Sequence, residues 1–244
     1  MSRARLYGIG VGPGDPELLT LKAHRILLGA PVVAYFAAVR RESNARRVVA
    51  GVLHEGQREV PLIYPVTTEP LEEGQSYERL LTEFYEASAG TLAGFLDAGV
   101  EVAVLCEGDP FFYGSFMYLH SRLAPRYEVE VVPGVTSVAG ATAELGAPLA
   151  CRDELFGVLS AVLPEAELEA RLRVLDTAVI LKVGRNLARV RAVVERLGLL
   201  DRAQYVERAT TAEQRLLPLA AVDAGTAPYF SMVVIPSLVA AARR

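Results

Sequence analysis

Two carboxylates flank one glycine in Glu107-Gly108-Asp109-Pro110, and the four residues follow directly on the apolar run Val102 to Cys106. That run, rich in β-branched residues, reads as a buried central strand. A strand that stops on a carboxylate, a glycine and a second carboxylate leaves polar groups and bare backbone at its C-terminal end. Open α/β sheets bind ligands at that end. Gly108 would let the backbone approach a ligand closely, and Pro110 can open a following helix at a preset φ. Asp109 has two readings: a cap for that helix, or a carboxylate facing a ligand. The hydroxyls of Thr136 and Ser137, after Pro133-Gly134, likewise either cap a helix or face the same crevice.

Other chemistries lack their parts. His24, His54 and His120 are scattered, and Cys106 and Cys151 form no CxxC, so no zinc spacing can be built and no metal is expected. Both cysteines read as reduced structural thiols. No Ser-His-Asp or Cys-His arrangement is found. The net charge of −4 argues against a nucleic-acid partner held by a large basic footprint. No signal peptide is visible, and the most apolar stretch, Tyr229 to Ala242, is interrupted by Pro236 and too short for the ~20 residues a bilayer requires. A cytoplasmic protein with no membrane partner is expected.

The elements that would position these residues follow an α/β pattern. The run Arg5-Leu-Tyr-Gly-Ile-Gly-Val-Gly-Pro-Gly-Asp-Pro16 begins as a strand and turns into a glycine-rich loop. Asp15-Pro16-Glu17 reads as a helix start, with Leu19, Ala23, Ile26 and Leu27 on its buried face, Gly29 at its end and a strand over 31–36. The dinucleotide fingerprint GxGxxG fails in each register: the sixth position is Pro13 from Gly8 and Asp15 from Gly10. No acid ends the second strand, and no Walker A motif is present. Pro13 stiffens a loop suited to close backbone approach of a ligand without phosphates, which disfavours NAD.

Arg40, Arg41, Arg46 and Arg47 crowd one helical segment, either as a solvated face or as a docking surface for a polyanion. A long amphipathic helix is expected over 76–98 and another over 111–123, the second opening on Phe111, Phe112, Tyr113, Phe116 and Tyr118. Such rings are core residues more often than ligand contacts, though one or two could face a flat ligand. The composition changes around Gly146–Asp153, dividing the chain into an N-terminal α/β domain over 1–145 and a smaller one over 146–244, whose last strands should be antiparallel.

Three ordered segments carry a resemblance: Gly8-Ile-Gly-Val-Gly-Pro-Gly-Asp-Pro-Glu-Leu-Leu-Thr20, Glu107-Gly-Asp-Pro-Phe-Phe-Tyr-Gly114 and Val132-Pro-Gly-Val-Thr-Ser137. They resemble the signature segments of the tetrapyrrole methylases, S-adenosylmethionine-dependent enzymes of corrin and sirohaem synthesis. The similarity continues through Leu181-Lys-Val-Gly-Arg-Asn186 and Glu207 to Gln214 as far as Ala227 to Met232. The run from Glu107 to His120 looks most like the branch that methylates C20 of precorrin-2. Members acting on uroporphyrinogen III typically carry Gly-Gly-Asp-Pro where this chain has Glu107.

The resemblance implies two α/β domains, each a sheet flanked by helices, with S-adenosyl-L-methionine in the cleft between them and S-adenosyl-L-homocysteine as product. It implies a homodimer, and neighbouring pathway enzymes are possible partners. Carried over by position, it implies cofactor contacts from Pro13, Gly108, Asp109, Phe112, Thr136, Ser137, Val183, Ala227 and Pro228. A tetrapyrrole substrate would carry eight carboxylates, for which Arg40, Arg46, Lys182 and Arg185 are the expected donors, with Arg41 and Arg47 beside them. Methyl transfer needs the carbon nucleophile held in line, about 3–3.5 Å from the methyl group. Asp109 is the expected catalytic residue, steadying the sulfonium or accepting the proton lost from the methylated carbon. The cobalt-containing substrate of the anaerobic route is an alternative, and a non-catalytic ligand-binding module is the reading from a different class.

Overall fold

Residues Arg5-Leu-Tyr-Gly-Ile-Gly10 become β1 (Arg5–Gly10), with Leu6 and Ile9 fully buried. The computed structural model describes residues 4–39, 42–66, 74–223, 225 and 227–238, and the chain divides into two units, Met1–Thr136 and Ser137–Arg244. In the first unit β1 joins β2 (Val32–Ala38), β3 (Arg58–Tyr64), β4 (Val102–Cys106) and β5 (Glu128–Val132) in a sheet of order β3-β2-β4-β1-β5. All of its pairings are parallel. Each residue of β4 is buried, as a strand covered on both faces must be.

The period-two alternation of the strands divides the core between those faces. Leu6, Val102 and Val104 pack with Phe84 and Leu92 of α3 (Tyr77–Asp97) and Phe116 and Leu119 of α4 (Phe116–Leu123). Ile9, Val33, Ala103 and Leu105 pack instead with Ala23 and Leu27 of α1 (Leu21–Gly29) and Ala45 of α2 (Asn44–Val48). Complete burial of each large apolar side chain stabilises the fold by about 1.5–3 kcal/mol before entropy is counted.

Two helix starts differ from expectation. Asp15 does cap, accepting from the Glu17 N–H at 2.8 Å, but it opens only a single 3-10 turn, Pro16–Leu18. The helix proper begins at Leu21, where the Thr20 hydroxyl caps Ala23 N–H at 3.1 Å. Pro110 opens no helix. The chain turns through 110–113, Tyr113 takes a left-handed φ of 57°, and α4 starts at Phe116. The Gly108-Asp109-Pro110 segment is therefore a loop with its own fixed shape.

The second unit contains α5 (Ser137–Leu145), β6 (Phe156–Ser160), α6 (Glu165–Leu172), β7 (Thr177–Leu181), α7 (Leu187–Arg196), β8 (Gln204–Glu207), β9 (Arg215–Pro218) and β10 (Ser231–Ile235). Its sheet has the order β6-β7-β10-β8-β9, in which β6 and β7 are parallel and the other neighbours antiparallel. Leu168, Leu187, Val190 and Val194 of its helices pack with Ile180, Tyr205 and Val233 of its strands. Helix α5 is tied into this unit by a 2.6 Å hydrogen bond from the Gln214 amide to Glu144. Among the described residues no helix is long and apolar enough to cross a membrane.

Candidate active site

Strands β4, β1 and β5 are neighbours, so the loops leaving their C-terminal ends emerge side by side. The chain leaves β1 toward α1 on one face and β4 toward α4 on the other. Such a divergence is the switch point at which open α/β sheets bind ligands. Backbone hydrogen bonds lock the first two loops together: Gly108 N–H donates to Gly12 at 2.8 Å, and Gly12 N–H returns to Gly108 at 3.3 Å. Val11 N–H adds a bond of 2.9 Å to Cys106. Gly108 adopts a φ of 63°, a conformation that costs glycine little.

Asp109 fastens the third loop. One carboxylate oxygen accepts Phe111 N–H at 2.9 Å and the other accepts Gly134 N–H at 3.1 Å. The glycines make this junction sterically possible. A Cβ on Gly10 would lie 2.5 Å from the Gly134 nitrogen, and one on Gly134 would lie 2.1 Å from the Gly108 oxygen. At Gly10, Gly108 and Gly134 the loops approach one another closely. Gly8 is likewise covered by the Phe116 ring.

Around the junction, Pro13, Phe112 and Thr136 are half-buried. The Phe112 ring meets Tyr113 edge-on at 5.1 Å between centroids. Of the aromatic run, Phe116 is core, whereas Phe111 and Tyr113 remain about half exposed. Ser137 opens α5 in the second unit. In that unit Ser231 joins two more of the expected cofactor segments. Its hydroxyl donates to Pro228 at 2.7 Å and accepts Gly184 N–H at 3.3 Å, and its carbonyl accepts Val183 N–H at 3.4 Å. Val183 is fully buried, and Ala227 and Pro228 are half-buried. Ser231 lies within the Ala227 to Met232 segment but was not singled out from sequence, since its partners lie 47 and 3 residues away.

The expected anion-binding residues have different surroundings. Arg40 and Arg41 lie outside the described residues. Arg46 is engaged by Glu59 of β3 through both edges of its fork, at 2.6 and 2.8 Å, and this pairing holds the Glu59 carboxyl below its usual range. The pair lines a pocket of about 390 Å³ together with Tyr35, Ser43 and Ile63. Lys182 is half-buried at a left-handed φ of 60°, and Arg185 is exposed, with no ion pair among the described residues.

Glu107 stands apart from Asp109. The residue is exposed to solvent, while desolvation by surrounding protein pushes its carboxyl up to about 7. The Asn44 side chain and the Arg47 charge, both from α2, oppose that shift. Arg47 in turn donates to the Asn44 oxygen at 3.2 Å. Asn44 carries no sequence signal for this position, because its approach to β4 depends on how α2 packs. The neighbouring Cys106 thiol is buried and held protonated by desolvation, so it offers no nucleophile.

The first unit's three loops present backbone amides and carbonyls, the Thr136 hydroxyl, one half-buried ring and a fixed carboxylate, without a lysine or arginine at their roots. That set fits a nucleoside thioether better than a phosphate. Residues 5–223 match the family of tetrapyrrole (corrin/porphyrin) methylases. The chain is 50% identical over 232 residues to precorrin-2 C(20)-methyltransferase of Sinorhizobium sp, covering 95% of each protein. It is 33% identical over 236 residues to cobalt-precorrin-2 C(20)-methyltransferase of Salmonella typhimurium, again covering 95% of each. Among solved structures, uroporphyrin-III C-methyl transferase from Thermus thermophilus, complexed with S-adenyl homocysteine, superposes with a TM-score of 0.68. That alignment is 28% identical and covers 97% of this chain and 93% of the other.

Proposed function

The chain belongs to the tetrapyrrole (corrin/porphyrin) methylases, and on that premise we propose that it is an S-adenosyl-L-methionine-dependent enzyme of cobalamin biosynthesis, methylating C20 of precorrin-2 to give precorrin-3A. The observation that carries this reading is the 50% identity, sustained over 95% of both chains, to a precorrin-2 C(20)-methyltransferase.

S-adenosyl-L-methionine, when bound, supplies an electrophilic methyl group on a sulfonium. Pro13, Gly108, Phe112 and Thr136 on the first unit's loops, and Ser137, Val183, Ala227 and Pro228 of the second unit, are the residues that would hold it. Asp109 acts by fixing the loop roots: its carboxylate accepts two backbone amides, and taking up a proton would weaken both bonds. Arg185 is a better placed donor for substrate carboxylates than Arg46, which would have to leave Glu59 to take part; Lys182 is the other candidate of the second unit. A cytoplasmic homodimer, working beside other enzymes of the pathway, completes the reading.

A second reading, methylation of the cobalt-containing substrate, is favoured by the 33% identity to the Salmonella typhimurium enzyme. Mass spectrometry of metal-free and cobalt-loaded precorrin-2, incubated separately with the protein and labelled S-adenosyl-L-methionine, decides between them. A single methyl at C20 on the metal-free pigment alone is the expected result. A gain with cobalt alone moves the protein to the anaerobic route, and no gain with either overturns both readings.

A further inference from the structure

Serine is among the best residues to cap a helix, because its hydroxyl can accept an orphan backbone N–H of the first turn. Ser115 stands at that position before α4 and makes no such bond. Its hydroxyl accepts instead from the phenol of Tyr64, at 2.5 Å, from the last residue of β3 and 51 positions away. The Tyr64 ring is itself held. Phe36 of β2 stacks on it at 5.5 Å between centroids, and Phe84 and Tyr85 of α3 meet it at 4.5 and 6.4 Å. The Tyr85 hydroxyl lies 3.3 Å from the Tyr64 oxygen. Three rings and a second hydroxyl thus fix the direction of the Tyr64 phenol, which is aimed at the end of the loop that begins at Asp109.

That loop closes on itself. Asp109 anchors its beginning through the amides of Phe111 and Gly134. Phe112 N–H donates to the Asp109 carbonyl at 3.3 Å, and a Cβ added to Gly114 would lie 2.6 Å from the Pro110 oxygen. Between them Tyr113 takes its left-handed φ. Asp109 therefore fixes one end of the span that carries the half-buried Phe112 ring, and Tyr64 fixes the other.

We propose that Tyr64 is a positioning residue for the cofactor: by holding Ser115 it keeps the Phe112 ring where S-adenosyl-L-methionine binds. The assignment rests on the functional reading above, in which Phe112 is a cofactor contact. Tyr64 acts through the loop and takes no part in the transfer itself. Tyr64→Phe isolates the effect, because the ring packing stays while the hydrogen bond goes. The Ser115 hydroxyl is then free to cap α4, which offsets part of the stability lost but leaves the loop without its second anchor.

Affinity for S-adenosyl-L-homocysteine should be measured by calorimetry, well below the unfolding temperature, for the unaltered protein, Tyr64→Phe, Phe112→Ala and their combination. Tyr64→Phe should weaken binding about two- to ten-fold, the span for loss of one hydrogen bond. Phe112→Ala should weaken it at least as much, and adding Tyr64→Phe to it should cost nothing further, since the two act as one unit. The chain contains no tryptophan, so Phe112→Trp places a single fluorescent reporter in the loop. Its anisotropy without cofactor should fall when Tyr64→Phe is added. Ser115→Ala should reproduce the loss of affinity and of anisotropy, and decides the matter if Tyr64→Phe fails to fold. Unchanged affinity in Tyr64→Phe, unchanged anisotropy, or a loss that adds to that of Phe112→Ala overturns the proposal while the function stands. No binding of S-adenosyl-L-homocysteine by the unaltered protein overturns the functional reading, and the proposal with it.

Discussion

Gly134 donates its backbone N–H to the carboxylate of Asp109 across 3.1 Å, joining the loop after β5 to the loop after β4. The other Asp109 oxygen is held by Phe111 N–H. Replacing Asp109 by Asn would turn an amide NH2 toward one of these two donors. Asp109→Asn is expected to cost about 1–3 kcal/mol of stability and to weaken cofactor binding more than it slows the methyl-transfer step. Calorimetric affinity and single-turnover rates, measured on one preparation, separate the two effects. A slowed chemical step with normal affinity would return the proton-accepting role to Asp109.

Gly134→Ala should be far more damaging than its single carbon suggests. The new Cβ would sit 2.1 Å from the Gly108 oxygen, a backbone atom that cannot swing aside. Overpacking costs of about 1–3 kcal/mol or more are expected, with loss of cofactor binding. Gly90→Ala is the matched control. It lies within α3 with nothing within 4 Å of the added carbon, and should raise stability by about 0.5–1 kcal/mol through helix propensity. Thermal unfolding of the two variants should therefore shift in opposite directions.

Ser231→Ala removes the hydroxyl that links Gly184 to Pro228. Ser231 is buried, so the amide and carbonyl left behind have no ready access to water. A loss of about 1–2 kcal/mol is expected, with a several-fold rise in the cofactor dissociation constant. Cofactor affinity equal to that of the unaltered protein would remove the segment from the binding surface.

Arg46→Met tests the pairing with Glu59 through pH. Arg46 lowers the Glu59 carboxyl in the folded state. The associated stability is present above the ordinary carboxylate pKa and is lost as pH falls through the lowered folded value. The unaltered protein should be more stable than Arg46→Met at pH 7 by up to about 1 kcal/mol, as suits a partly exposed pair. The difference should close in strong acid. A gap that persists there would assign the stabilisation to packing of the Arg46 stem.

Local chemistry was legible in the chain wherever it depends on neighbours in sequence. The span Val102–Cys106 forms the expected buried strand, Ser76 caps the long helix α3, and the last strands of the second unit are antiparallel. Where two local signals competed, the choice between them was hidden: Asp15 and Thr20 both cap, and only the second starts α1. Tyr113 in a left-handed conformation delays α4 past Pro110, and nothing in an aromatic residue announces that. Pairings across the sheet were the least visible. Asp109 with Gly134 and Arg46 with Glu59 depend on strand order and register, which periodicity does not encode. The glycine-rich loop was legible as a place of close approach; that Gly10 and Gly134 meet across two loops required the fold.

The junction also sets when the site can come into being. Roughly a hundred residues of chain separate Gly10 from Gly108, and Gly134 must follow before the third loop closes. During synthesis at about 5–20 residues per second, β1 is made many seconds before its partners β4 and β5. Until then its glycine-rich end is an unpaired strand in need of protection. A nascent chain stopped short of Gly134 would have most of the first sheet and no assembled site, so cofactor capture would report completion of the unit and could not assist its earlier folding.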